Sequence, residues 1–260
     1  MLSAGILSLL EDMISKTSSY GCVAALYLNL SCLEEAKDVI GTSQAVQFLI
    51  QILHTKTEVQ CKIDSLHALY NLSTLSSNIP HLLSSGIIDS LQSLLVVDQG
   101  DCTLTEKCLA VLINLAVSPA GREQMMMAPA LISALASTLD TGELMEQEQA
   151  ASCLLILCNR SEQCCEMVLQ EGVIPALVSL TVNGTSRGRE KAQKLLMVFR
   201  EQRQREHSPV KTNECEPESS DLSMPPPETK PLCKSISRRK VVGKAISFLW
   251  KSKSYSVYQC

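Results

Sequence analysis

Four asparagines recur along this chain in nearly the same setting: Leu28-Asn29-Leu30-Ser31, Tyr70-Asn71-Leu72-Ser73, Ile113-Asn114-Leu115-Ala116 and Cys158-Asn159-Arg160-Ser161. They lie 42, 43 and 45 residues apart. A carboxamide carries both a donor and an acceptor, so it can pair with a peptide unit running in either direction. A polar amide returning at that period inside apolar helical text marks a stacked helical repeat. Such repeats build long surfaces for other proteins and seldom build active sites.

The groups that covalent or acid–base chemistry needs are not set in any recognisable frame. There is no Gly-rich phosphate loop, no Gly-x-Ser-x-Gly elbow, no His-Glu-x-x-His and no catalytic carboxylate pair. Gly184-Thr185-Ser186-Arg187-Gly188-Arg189 resembles an anion loop only superficially, and reads as a polar turn between the last two helices. Glu34 and Glu35 fall where a short helix begins, and there carboxylates complement the helix dipole. No catalytic residue is expected in this chain.

Twelve cysteines are present, without a Cys-x-x-Cys pair, and His54, His67, His81 and His207 show no ligand spacing with them. Neither a metal site nor a cofactor is expected. Cys22, Cys32, Cys61, Cys108, Cys153 and Cys158 sit in or beside apolar runs, where a thiol acts as a small hydrophobe. The adjacent Cys164 and Cys165 read as two partly buried thiols on a helix, with an oxidant-sensing pair as the alternative. Thiols used this way imply a reducing compartment. The cytoplasm is the expected location, with the nucleus or the inner membrane surface as alternatives.

The asparagines need helices to hold them. Five residues before each come Ala24, Leu66, Leu109 and Leu154, and two before come Tyr27, Leu69, Leu112 and Leu157. One after come Leu30, Leu72, Leu115 and Arg160. Three-residue steps put these positions on one buried face of an α-helix, with the asparagine beside that face near its C-terminal end. After each polar break a short helix runs to glycine or another small residue, and a second apolar helix follows. Gly172-Val173-Ile174-Pro175-Ala176-Leu177 is the clearest example and Gly86-Ile87-Ile88-Asp89 is close to it, while Gly41-Thr42-Ser43 and Ala128-Pro129-Ala130 are looser. Glycine can take the left-handed conformation that ends one helix, and Pro175 suits the first turn of the next. Composition agrees: 45% apolar residues, only 3% aromatic, and no apolar run of the ~20 residues that a membrane span needs.

The chain therefore divides into a repeat domain over residues 1–206, a linker over 207–229 rich in charge and proline, and a tail over 230–260. Residues 1–200 carry 12 basic and 20 acidic side chains, whereas residues 230–260 carry 8 basic and none acidic. The acidic repeat domain favours a basic partner in a general way, and no nucleic acid partner is expected. Within the tail Val241, Val242, Ala245, Ile246 and Leu249 share one helical side, ringed by Arg238, Arg239, Lys240, Lys244 and Lys251 beside the chain's single tryptophan, Trp250. A basic amphipathic segment of this kind suits an anionic membrane surface or an acidic partner, and an unstructured basic tail is the plain alternative.

The glycine break, the apolar second helix and the Leu-x-Asn-Leu third helix together resemble the armadillo repeat. The resemblance implies an all-α, right-handed superhelical solenoid of about four to five repeats. Met1 falls just before a glycine break, so the first repeat is expected to be incomplete, as though more chain precedes it. The fifth carries Val198 in place of asparagine and then turns strongly polar, as a terminal repeat does. In the armadillo family such asparagines line an inner groove and bond the backbone of an extended peptide, which makes Asn29, Asn71, Asn114 and Asn159 the expected peptide-binding residues. Nuclear-import adaptors of that family carry tryptophan four residues earlier; here Ala25, His67, Ala110 and Leu155 stand there. The repeats and the tail from Lys230 to Cys260 are similar to the C-terminal part of plant U-box proteins with armadillo repeats. That similarity implies the substrate- or regulator-binding half of a ubiquitin ligase. No U-box text occurs in this chain, so ligase activity would require one supplied elsewhere. A membrane-associated armadillo scaffold without a ubiquitin role is the alternative.

Overall fold

The computed structural model describes residues 20–97, 102–159 and 161–206, with residues 5, 9 and 12–14 ahead of them. Every element described is helical. The first repeat contributes α1 (Tyr20–Ser31), and the second contributes α2 (Glu34–Gly41), α3 (Ala45–His54) and α4 (Val59–Ser73). The third opens with a single 3-10 turn (Ser76–Asn78) and continues through α5 (Ile79–Ser84), α6 (Ile87–Val97) and α7 (Cys102–Ala116). The fourth is α8 (Pro119–Met126), α9 (Pro129–Thr141) and α10 (Leu144–Cys158). The fifth is α11 (Glu162–Gln170), α12 (Ile174–Asn183) and α13 (Ser186–Glu206). No single described helix is long and apolar enough to cross a membrane.

The third helices α1, α4, α7, α10 and α13 lie side by side in one layer, and the second helices α3, α6, α9 and α12 form another. The predicted faces are what joins the layers. Leu66, Leu69 and Leu72 on α4 and Leu109, Leu112 and Leu115 on α7 have no exposed surface, and the same holds for Leu154 and Leu157 on α10. Each such leucine contributes roughly 1.5–3 kcal/mol relative to an exposed one. In α1 the corresponding residues are Ala24 and Tyr27, both buried.

The breaks between first and second helices follow local chemistry. Gly86 and Gly172 have φ of 75° and 72°, the left-handed conformation expected of them. Gly41 is glycine for a different reason. A Cβ there would lie 2.1 Å from Asn78 Oδ1, so the chain must pass Asn78 without a side chain. Asn78 itself is fully buried, and its Nδ2 donates to Lys37 O at 2.9 Å and Leu72 O at 3.1 Å. It ties the second repeat to the third. Pro80, Pro119, Pro129 and Pro175 all occupy the opening turn of their helices, where a missing N–H costs nothing. Ser118 and Ser161 cap α8 and α11 by accepting from Gly121 N and Cys164 N.

The expected polar turn over Gly184–Arg189 is shorter than its polarity predicts: Gly184 and Thr185 form it, and Ser186 to Arg189 are already the first turn of α13, because Thr185 caps that helix. Thr185 Oγ1 accepts from Gly188 N at 2.9 Å and donates to Glu148 Oε2 at 2.5 Å. The last helix closes the array with polar contacts. Gln202 is buried, and its Nε2 donates to Glu162 O at 3.3 Å. The expected linker at 207–229 and basic tail at 230–260, with Arg238, Arg239, Lys240, Lys244, Trp250 and Lys251, lie outside the described residues.

Candidate functional site

The third-helix layer brings the asparagines into a row, and they fall into two kinds. Asn71 Nδ2 donates to Ser31 Oγ on the preceding third helix at 3.0 Å, and that hydroxyl donates to Leu28 O at 2.7 Å. One repeat later Asn114 Nδ2 donates to Ser73 Oγ at 3.0 Å, and Ser73 donates to Tyr70 O at 2.7 Å. The same relay from amide to hydroxyl to carbonyl thus closes two successive helix ends, where carbonyls lack partners in their own helix. Both amides are half-buried.

Asn29 and Asn159 are exposed. Asn29 Nδ2 donates within its own helix, to Ala25 O at 2.8 Å. Asn159 lies just beyond α10, and Ala116 stands where Ser31 and Ser73 stand in the earlier repeats, so no hydroxyl is there to receive its amide. The serine two residues after the asparagine is the half of each rung that the sequence reading missed. Its signal was visible as Ser31 and Ser73, and so was its loss at Ala116. Asn114, giving one N–H to Ser73, keeps its other N–H and its carbonyl oxygen for a peptide. Asn71 Nδ2 also donates to Cys32 Sγ at 3.6 Å, a weak acceptor, and Asn71 keeps its carbonyl oxygen. Structural and binding roles are therefore compatible.

One to three turns before the asparagines, or before Val198 on α13, the same stripe carries charge. On α4 it presents His67 and Asp64, on α7 Lys107, and on α13 Lys194, Lys191 and Arg187. Lys107 Nζ meets His67 Nε2 between adjacent helices, so the ammonium donates to a neutral imidazole. Burial, reinforced by the Lys107 charge, pushes His67 down to about 4. Burial also lowers Lys107, opposed by the carboxylates of Glu106 and Asp64. Asp64 is buried and accepts from Gln60 Nε2 at 2.7 Å. Lys194 pairs with Glu190 at 2.5 Å, both of them well exposed.

Elsewhere the chemistry is sparse. A cavity of about 500 Å³ opens between the third-repeat and fourth-repeat breaks, lined by Leu83, Gly86, Asp89, Gln92, Gln124 and Met127 among others. Asp89 is the one acid or base in its lining, so no catalytic constellation forms. Among the described residues no three His, Cys, Asp or Glu side chains converge as metal ligands. Cys153, Cys158, Cys164 and Cys165 gather where α10 meets α11, and all four are buried more fully than the partial burial expected of the last two. Cys165 Sγ donates to Cys158 O at 3.2 Å. Hydrogen bonds with the thiols of Cys164 and Cys165, aided by burial, push the Cys158 thiol well up, and burial pushes Cys153 up to about 12.

Residues 3–218 match the family model described as the plant U-box protein ARM repeat region. The chain belongs to that family. It is 59% identical over 266 residues to U-box domain-containing protein 45 of Arabidopsis thaliana, a match that covers 100% of this chain and 34% of that protein. U-box domain-containing protein 7 of the same plant is 55% identical over 275 residues, with 99% of this chain and 35% of that protein covered. The chain thus spans about a third of the length of the curated relatives it matches. Among solved structures, a set of computationally designed armadillo repeat proteins for modular peptide recognition aligns with a TM-score of 0.69 at 20% identity, covering 75% of this chain and 83% of that one. A designed armadillo repeat protein in complex with the peptide (KR)4 aligns with a TM-score of 0.66 at 19% identity, covering 75% and 82%. The ARM repeat region therefore has the armadillo fold that its repeats predict.

Proposed function

We propose that this ARM repeat region is the protein-binding array of a U-box-type ubiquitin ligase, holding an extended segment of a substrate or regulator against its third-helix layer. The observation that carries the reading is the pair of rungs at Asn71 and Asn114. They stand in matching register on adjacent helices of an armadillo layer, each with hydrogen-bonding capacity left over. Packed helices lie ~8–10 Å apart, so successive rungs meet an extended chain about every third residue. Each rung nets only ~0.5–1.5 kcal/mol, against an association cost of ~4–15 kcal/mol. The rungs set direction and register, and side-chain contacts in the groove supply most of the affinity.

The test begins with peptides selected from a displayed random library against the whole chain. The Asn71→Ala/Asn114→Ala variant should weaken them by about tenfold or more while the protein stays folded. Unchanged binding by the variant overturns the reading. Joined to a U-box and supplied with ubiquitin, activating enzyme and conjugating enzyme, the array should direct ubiquitin to a protein bearing a selected peptide. Ubiquitin chains made by this chain without any U-box would contradict its assignment to the binding half.

A second reading adds a membrane role to the tail, favoured by the eight basic side chains and Trp250 in residues 230–260. Each basic residue contributes about 1 kcal/mol near an anionic surface. Co-sedimentation with phosphatidylserine vesicles should then require the tail, and a 1–206 truncation should stay in the supernatant.

A further inference from the structure

We propose that the segment held by the third-helix layer is acidic, and that its carboxylates are read by the C-terminal end of the array, at Arg187, Lys191 and Lys194. This rests on the peptide-binding reading above and names the chemistry of the occupant. It also reverses the preference that the chain's net charge suggests, because repeat-domain acidity is an average over all faces, and the face that would touch a peptide differs from it.

The stripe that contains the asparagines decides the matter position by position. Seven residues before each asparagine, or before Val198 in the last repeat, stand Cys22, Asp64, Lys107, Ser152 and Lys191. Four before stand Ala25, His67, Ala110, Leu155 and Lys194. Asp64 is the sole carboxylate at these ten positions, and it is buried, with Gln60 bonded to it. Lys107, Lys191 and Lys194 are its cations, and Arg187 continues the stripe a further turn along α13.

The α13 cations are also available. Lys191 is half-buried and Arg187 is exposed, and neither forms an ion pair among the described residues. Lys194 is paired with Glu190, but both side chains are more than half exposed, at 53% and 58%, so the pair exchanges readily with solvent or a competing carboxylate. Glu148, the nearest acid on α10, is buried and engaged by Thr185, which removes it from the contact surface. Beside these cations Leu155 and Val198 are half-buried, giving apolar contact between the charges. Charges farther than a Debye length, about 8 Å at physiological salt, are largely screened. A docked peptide therefore meets this basic stripe and not the acidic remainder of the domain. The designed relative solved with (KR)4 holds a basic peptide; the present stripe is suited to the opposite charge.

The experiment titrates fluorescein-labelled octapeptides (LE)4, (LQ)4 and (KR)4 with the whole chain by fluorescence anisotropy at low salt. The inference expects (LE)4 to bind about tenfold tighter than (LQ)4 and tighter still than (KR)4, with the advantage falling as salt rises. In the Arg187→Glu/Lys191→Glu variant the order of (LE)4 and (KR)4 should reverse. Both substitutions lie at solvent-accessible positions, and a thermal melt confirms that the variant is folded. If (LQ)4 or (KR)4 binds the native chain as tightly as (LE)4, the acidic preference is wrong, while peptide binding by the layer stands. If none of the three binds, the inference fails, and the library selection with Asn71→Ala/Asn114→Ala decides the wider reading independently.

Discussion

Lys107 on α7 donates its ammonium to the imidazole of His67 on α4, so two potentially cationic side chains lie in contact between adjacent repeats. The arrangement is stable only while His67 is neutral. Its folded value near 4 lies below the ordinary 6.5 because burial, first, and then the Lys107 charge oppose a second cation.

The sign of the pH effect follows. Above pH 6.5 the imidazole is neutral both folded and unfolded, and the full stabilisation is present. Between 6.5 and 4 the unfolded chain takes up a proton that the folded chain refuses, so stability falls as pH falls, by up to about 3 kcal/mol. Urea denaturation at pH 7 and at pH 4.5 measures the loss. In the His67→Gln variant, whose amide oxygen can still accept from Lys107, this part of the pH dependence should disappear. An unchanged slope would show that other groups carry it.

The serine relay yields a second expectation. Asn71→Ala and Ser31→Ala each break the same bond, so the double variant should cost less than the two single losses together, with a coupling of about 0.5–1.5 kcal/mol. Asn114 and Ser73 should behave alike. Asn159→Ala should change stability by less than about 0.5 kcal/mol, because an exposed side chain facing Ala116 has no such partner to lose. Chemical denaturation of the seven variants and the native chain completes the comparison, and equal costs at Asn71 and Asn159 would contradict the relay.

The contrast between those residues also shows what could be read without coordinates. Helical period, repeat length and the buried positions five and two before each asparagine were legible, because each is a local pattern that one helix must satisfy by itself. The left-handed Gly86 and Gly172 were legible for the same reason. Pairings between repeats were not. Ser31 to Asn71, His67 to Lys107 and Gly41 to Asn78 join residues about forty apart whose meeting depends on how adjacent helices are staggered. Gly41 is the instructive misreading: it matched the pattern of a helix-ending glycine, yet the approach of Asn78 requires it. The charge of the candidate face was hidden in turn by the net charge of the domain, since the carboxylates outnumber the cations but lie mostly on other faces.

Gly41 and Asn78 therefore make a matched pair for mutation. Gly41→Ala drives a methyl into Asn78 and should cost about 1–3 kcal/mol by overpacking. Asn78→Ala leaves Lys37 O and Leu72 O without their donor inside the protein and should cost a similar about 1–3 kcal/mol. Combined, the smaller side chain at 78 makes room for the methyl at 41. The double variant should then be more stable than the sum of the single effects predicts. Strict additivity in thermal or chemical denaturation would mean that the two sites do not touch.

Thiol accessibility gives the last expectation. Cys22 and Cys32 are exposed, whereas Cys153, Cys158, Cys164 and Cys165 are at most 3% exposed. Alkylation requires a thiolate that the reagent can reach; burial withholds reach from all four, even though hydrogen bonding with Cys158 lowers Cys164 and Cys165. Cys153 is raised to about 12, and the Cys158 thiol is raised by the neighbouring thiols of Cys164 and Cys165. Iodoacetamide at pH 8, followed by mass spectrometry of the peptides, should modify Cys22 and Cys32 within minutes. The four buried thiols should react only as the junction of the fourth and fifth repeats opens, and should therefore follow denaturant concentration together as one cooperative unit. Rapid modification of Cys164 or Cys165 in native buffer would place them at the surface and revive the oxidant-sensing alternative. Protection of all four makes their role the filling of a small apolar space between α10 and α11, where sulfur is compact enough to let two helix ends meet.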